Sequence, residues 1–304
     1  MRKFILFIII SIFTFQVNAQ RVSLELNLEK GKIYYQKSVN TTEVDQKVQG
    51  MDINVKVKTS STIGFKVMDL KNDKYLMNCE YVSIISEIEA PQGKKTVDSE
   101  NLVPNDPTSK FYNLLKNEEF QIEISKHGRI ISVKNLNGLV DRIFKKGEFS
   151  EFDRNTLKQS FDENFGEEQI KSNMELNLKI YPESKVKVGD TWERNITQVS
   201  NTEIGMQNSY EFISSSKTEN KIGVKGTLKS DANGSFFLSN GVYVKPQIEG
   251  NYDATIILDA KTGWIKKLTS TQHLKGETKV KYTQEGEVAM EIPLIILTSI
   301  EITD

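Results

Sequence analysis

Alternation of apolar and polar residues, interrupted by short polar turns, recurs along most of this 304-residue chain and constrains its fold more than any other feature. Val44–Ser61 reads as two alternating segments around Gln49-Gly50, and Gly64–Ala90 repeats the plan around Lys71-Asn72-Asp73-Lys74. Four later stretches do the same: Phe120–Asn135, Asn220–Ser239, Tyr252–Gln272 and Thr278–Ile292, with turns at Gly128, Asn233-Gly234, Gly263 and Gly286. A period of two puts every second side chain on one face of a strand. Glycine at the turn adopts positive φ at little cost. Hairpins of this kind predict antiparallel sheet.

Helical spacing is confined to the middle. Leu136, Leu139, Val140, Ile143 and Phe144 fall on one face of a helix, with Asn135 or Asn137 as N-cap and Gly147 as its stop. A second helix is predicted from about Asp153 to Phe165, carrying Leu157, Phe161 and Phe165 on one face ahead of Gly166. A third, shorter one covers Ser109–Leu115 after the Pro104–Pro107 segment. Apolar helix faces need a partner surface, and sheet is the abundant one. The predicted class is therefore mainly β (α+β): large curved antiparallel sheet with a few helices packed on one face.

A weak internal repeat runs through the chain. Gly31-Lys32-Ile33-Tyr34 and Gly189-Asp190-Thr191-Trp192 share a glycine followed three residues later by an aromatic. Ile122–Val133 and Ile256–Leu268 are both hairpins turning on glycine. The repeat divides the chain into a first β-rich half (20–134), a helical connector (135–180) and a second β-rich half (181–304). One continuous domain and two similar halves both fit this pattern. Tyr181-Pro182 extends the chain into the Gly189-Asp190 turn. From there Trp192, Arg194 and Ile196 share one parity, which places Trp192 at a sheet edge or rim.

Residues 1–19 are read as a signal peptide. Arg2 and Lys3 precede the apolar run Phe4–Phe15, and Val17-Asn18-Ala19 has the form of a cleavage site, so cleavage is expected between Ala19 and Gln20. The run is shorter than the roughly 18–20 apolar residues that span a bilayer. The mature protein is thus expected to be exported, periplasmic or secreted, without a transmembrane anchor. The 40 basic and 41 acidic residues are interspersed, with no basic block to attract nucleic acid. The single cysteine, Cys79, permits no internal disulfide and reads as a small buried apolar residue in a strand.

No constellation for catalysis is found. Only His127 and His273 could serve as imidazole bases, and neither accompanies a serine elbow or a cysteine nucleophile. No H-E-x-x-H, C-x-x-C, P-loop or G-x-G-x-x-G is present, so no metal and no cofactor is expected. The acidic stretch Asp162–Gln169 lacks the ligand spacing of a calcium loop and reads as a solvated helix end. Catalytic, cofactor and metal residues are accordingly none, and ligand-binding residues are not assigned.

Pro182, Val186, Gly189, Asp190 and Trp192, followed by Asp259, Thr262 and Gly263, resemble the motifs of an uncharacterised family of exported Gram-negative proteins, a domain of unknown function. The resemblance brings no catalytic residue with it. A looser likeness, at the level of architecture, is to periplasmic lipoprotein carriers, in which a curved sheet wraps around helices and holds acyl chains. Together these readings lead to an envelope protein that is not an enzyme and binds an apolar, lipid-like ligand or a protein partner. The other expectation is a structural or assembly factor that works through exposed strand edges without a small ligand.

Overall fold

A computed structural model describes residues 21–198, 202–239 and 241–304; the signal peptide assigned to residues 1–19 lies outside the described residues. The first part of the chain forms β1 (Ile33–Val48), β2 (Met51–Lys71), β3 (Lys74–Ala90), β4 (Gly93–Asp98), β5 (Glu119–Ser125) and β6 (Ile130–Lys134). Helix α1 (Pro107–Leu115) follows β4, and α2 (Leu136–Gly147), α3 (Glu151–Phe165) and α4 (Glu167–Leu178) follow β6. The chain continues with β7 (Thr191–Gln198), β8 (Ile204–Ser215), β9 (Glu219–Ser230) and β10 (Phe237–Ser239). It ends with β11 (Val242–Asp259), β12 (Ile265–Lys281) and β13 (Met290–Thr303).

These strands make one antiparallel sheet in the order β6-β5-β3-β2-β1-β13-β12-β11-β9-β8-β7, with β4 beside β3 and β10 beside β11. The first and last strands, β1 and β13, meet at its centre. The long hairpins follow local turn chemistry. Gln49-Gly50 joins β1 to β2 and Asn72-Asp73 joins β2 to β3, and all four residues have positive φ, as two-residue hairpin turns require. Register shifts interrupt the ladders at Thr62/Ile63 and Val67/Asp69, Phe212/Ser214 and Ile257/Leu258. Each extra residue bends its strand and increases the twist, so the sheet curls.

The curl is not closed by strand pairing. Helix α4 packs against both β6 and β7, the two ends of the sheet. Its side chains also bond to edge backbone on each side. The Glu175 carboxylate accepts from the Ile130 amide at 3.0 Å, while the Ser172 hydroxyl donates to the Thr197 carbonyl at 3.2 Å. A helix filling a seam is buried on several sides, and Ile170, Met174, Leu176 and Leu178 are all buried. That mixture of spacings gives no single apolar stripe. The helix therefore leaves no periodic signature in the sequence, where Asp162–Gln169 reads as a solvated helix end. In the structure that stretch holds the junction between α3 and α4, with Gly166 capping both helices.

Corresponding hydrogen bonds occur in the two parts of the sheet. Gly31 donates to the Val67 carbonyl and the Val67 amide to Lys32; Gly189 donates to Phe212 and Phe212 to Asp190. Val22 and Val186, upstream of each turn, pair with each other in an antiparallel bridge. One hydrophobic core, running from Leu24 to Ile302, joins both parts.

Other expectations are corrected locally. Asn233-Gly234 is not a hairpin turn. β9 is already paired on both sides, by β8 and β11, so β10 has no free β9 edge and pairs with β11 instead. Gly234 and Gly286 do not take positive φ, in contrast to Gly128 and Gly263. The left-handed residue ending α2 is Glu148 rather than Gly147. Gly147 is required for another reason: a Cβ there would lie 2.1 Å from the Phe149 ring. Helix α1 begins two residues earlier than predicted, with Asp106 accepting from the Thr108 and Ser109 amides.

One ion cluster ties α2 to the sheet. Glu118, buried just before β5, accepts from Arg142 at 2.9 Å and from Lys146. Burial alone raises its pKa, but the hydrogen bonds and charges of Lys146 and Arg142 outweigh it and leave the carboxyl below its usual value near 4.5. A depressed carboxylate contributes stability above its unfolded pKa and loses it as pH falls through the folded one. We expect Glu118→Gln to lower the urea midpoint at pH 7 and to narrow the gap between pH 7 and pH 3. An unchanged gap would show that Glu118 plays no part in acid sensitivity.

Candidate binding cavity

The face of the sheet that carries the core is not apolar throughout. At the centre, Gln36, Ser38, Asn40 and Thr42 of β1 and Thr59, Ser61, Ile63 and Phe65 of β2 line one hollow, with Asn40 itself exposed. Register pairs Ser38 with Ser61 and Asn40 with Thr59. The two serine hydroxyls lie 2.9 Å apart, and Thr42 meets Thr298 of β13 at 3.2 Å. Next to Thr298 stands Gln272 of β12. Hydroxyl and amide groups thus form a continuous patch over four adjacent strands, where a sheet of this kind normally buries aliphatic side chains.

Helices α3 and α4 cover this patch without filling the space above it. A cavity of about 470 Å³ remains, within the range of small-molecule sites. Its apolar wall comes from Tyr81 and Ile84 of β3, Phe165 of α3, and Ile170, Met174 and Leu176 of α4. Asn173 and Asn177 of α4 and Gln198 of β7 add amides. Among the described residues no Asp, Glu, Lys, Arg or His lines it. The Nε2 of Gln36 is buried and finds no hydrogen-bond partner, which is costly for a donor removed from water. Burial pushes the Tyr81 phenol far up, so it stays neutral.

A larger depression of about 760 Å³ lies mainly on the opposite face of β8, β9 and β11–β13. Its side chains include Ser209 and Glu211, which alternate with buried Asn208, Tyr210 and Phe212. It is open sheet surface set with hydroxyls and charges, and no helix covers it. The cavity beneath α3 and α4 is the better candidate because the sheet and both helices contribute to its lining.

The residues singled out in the sequence occupy other places. His127 lies in the turn between β5 and β6, and His273 faces outward on β12, so the fold does not bring the two together. Cys79 is buried opposite Phe120, and burial raises its thiol pKa well above the ordinary value, which keeps it in the unreactive protonated form. Among the described residues no group of three or more His, Cys, Asp and Glu side chains could hold a metal ion. No helix among them is long and apolar enough to cross a membrane.

The two sequence motifs build turns. Asp190 accepts from the Lys187 amide at 3.1 Å. The Trp192 ring stacks on Tyr210 with centroids 5.5 Å apart, and its indole donates to the Ile180 carbonyl. β7 is an edge strand, as the mixed parity of Trp192 and Arg194 suggested. Asp259 accepts from the Lys261 and Thr262 amides and from the Thr262 hydroxyl. We expect Trp192→Ala to cost about 2 kcal/mol and Asp190→Ala less, both measured by urea unfolding. The opposite ranking would mean that the turn, not the ring, holds β7 in place.

The sequence pattern of DUF6263, a family of unknown function, matches residues 72–265. The chain belongs to this family. The matched span runs from the β2–β3 turn to the start of β12 and includes Pro182, Trp192, Asp259 and Gly263. It therefore contains both turn-building motifs but not β1, the strand that lays the cavity floor. No curated protein matches the chain.

Among solved structures, lipovitellin, described for its lipid–protein interactions, is similar at 11% identity and a TM-score of 0.49 over 91% of this chain. The chain spans only 25% of that protein's length. An outer membrane channel from Pseudomonas putida F1 is similar at 6% identity and a TM-score of 0.25, over 91% of this chain and 97% of the channel. At these scores neither likeness carries an argument about function.

Proposed function

We propose that this protein is a non-enzymatic binding protein of the cell envelope, which holds a lipid-like small molecule between α3, α4 and the inner face of the sheet. The observation that carries this reading is the partly covered cavity of about 470 Å³, with one apolar wall and one wall of hydroxyls and amides. An ordinary core would fill such a space, because interiors pack at close to crystal density. Export by the leader Met1–Ala19, with cleavage before Gln20, belongs to the same proposal. So does a two-half organisation, 20–134 and 181–304 around a 135–180 connector. The alternative, an assembly factor working by strand addition, is weakened by α4, whose side chains bond to backbone of both end strands.

Native mass spectrometry of protein purified from the envelope tests the binding. We expect a co-bound mass of lipid size that is lost in Ser38→Phe or Thr42→Phe, either of which fills the cavity from its floor. A clean apo mass, unchanged after addition of acyl compounds, sinks the proposal. Amino-terminal sequencing of the same sample should begin at Gln20, and a start at Met1 would overturn export by cleavage.

A further inference from the structure

We infer that the cavity selects ligands whose polar end is uncharged and rich in hydrogen-bonding groups, such as the glycerol head of a monoacylglycerol, and rejects ionised heads. This deepens the proposed function and rests on it. Binding could be satisfied by any acyl chain against Phe165, Ile170 and Met174. The polar wall is what makes the choice.

Three observations lead there. First, among the described residues the lining contains no ionisable side chain apart from Tyr81, whose phenol burial keeps neutral. A carboxylate, phosphate or ammonium entering the cavity would lose its hydration and meet no counter-charge, which is strongly unfavourable. Second, the polar groups are in surplus. Gln36 and Thr59 on the paired strands β1 and β2, and buried Gln272 on β12 beyond β13, lie at positions where a sheet could hold aliphatic residues, yet all three are hydrogen-bonding and uncharged. Retaining so many at a central position is costly unless something bonds to them. Third, the Nε2 of Gln36 is a buried donor without an acceptor in the protein. A hydroxyl or carbonyl oxygen of a neutral head would supply one, and an amide can donate to and accept from several hydroxyls at once. On β1 the charges belong to the other face: Lys37 and Glu43 alternate with the cavity-lining residues. They leave the β1 part of the lining neutral.

The test is a titration of the delipidated mature chain with three probes of equal acyl length: a monoacylglycerol, the fatty acid at pH 8, and a lysophosphatidylglycerol. We expect the monoacylglycerol to bind at least tenfold more tightly than either anion. Gln36→Leu and Asn40→Leu, each checked for an unchanged unfolding midpoint, should reduce this preference to less than threefold while acyl binding persists. If all three probes bind equally to the native chain, the inference is overturned and the binding proposal stands. If an anion binds more tightly, the inference is likewise overturned. If no probe binds, the binding proposal itself fails. Should Gln36→Leu prove unstable, Thr59→Val removes one hydroxyl of the same wall with almost no change of shape and serves in its place.

Discussion

Replacing Gly263 by alanine should lower stability by about 3 kcal/mol or more, and Gly128→Ala should do the same. Both residues have positive φ, at 69° and 78°, which costs an L-residue roughly 1–2 kcal/mol. Space adds a second penalty. A Cβ on Gly263 would lie 2.0 Å from the Glu25 carbonyl oxygen, and one on Gly128 would lie 1.6 Å from that of Leu178. Backbone cannot swing aside as a side chain can, and overpacking of this sort costs about 1–3 kcal/mol more. Gly31 and Gly189 are the controls: φ is 84° and 91°, but nothing lies within 4 Å of their Cβ positions. Alanine there should cost only about 1 kcal/mol. Urea midpoints of the four variants decide the matter, since equal losses at all four would show that φ alone, not the close approach, sets the cost. The pair also has an architectural meaning. The segment before β1 runs over the β11–β12 turn, and the end of α4 runs over the β5–β6 turn, so each glycine is where one part of the chain lies against the other.

Trp264→Ala should be as damaging, at about 4 kcal/mol. Trp264 is 3% exposed and packs between Tyr34 and Phe65, each 5.3 Å away between ring centroids. Its indole donates to the Tyr35 carbonyl at 3.0 Å. The residue immediately precedes β12, whereas its neighbours come from β1 and β2, so it packs two distant parts of the chain together. Trp264→Phe retains an aromatic body and loses the hydrogen bond, for which about 1–2 kcal/mol is expected. If the phenylalanine variant is as unstable as the alanine variant, the hydrogen bond outweighs the packing and this account of Trp264 is wrong.

Much of the local structure is legible in the residues. Gln49-Gly50 and Asn72-Asp73 announce their turns because few residue types accept positive φ. Leu136, Leu139, Val140, Ile143 and Phe144 announce α2 because one clean face of a helix is buried. Helix α4 is not legible, because a helix wedged between two sheet edges is buried on several sides. The cavity floor is not legible for a related reason: Gln36, Ser38, Asn40 and Thr42 belong to no catalytic or metal-binding pattern. One signal was available. β1 alternates these residues with Lys37, Val39, Thr41 and Glu43, so neither parity is apolar. A strand without an apolar face, once known to be central, must face something wet or polar.

By itself the sequence determined the antiparallel, hairpin-built class, the three clearer helices, and the absence of a recognisable catalytic motif. These depend on neighbours a few residues apart, whose spacing and φ preferences are written in order along the chain. Only the tertiary structure decided that β1 lies beside β13, that α4 fills the seam, and that polar residues from β1, β2, β12 and β13 converge above a cavity. Those outcomes depend on which strand edges remain free after every other pairing is made. That is a property of the whole sheet, and no single segment encodes it.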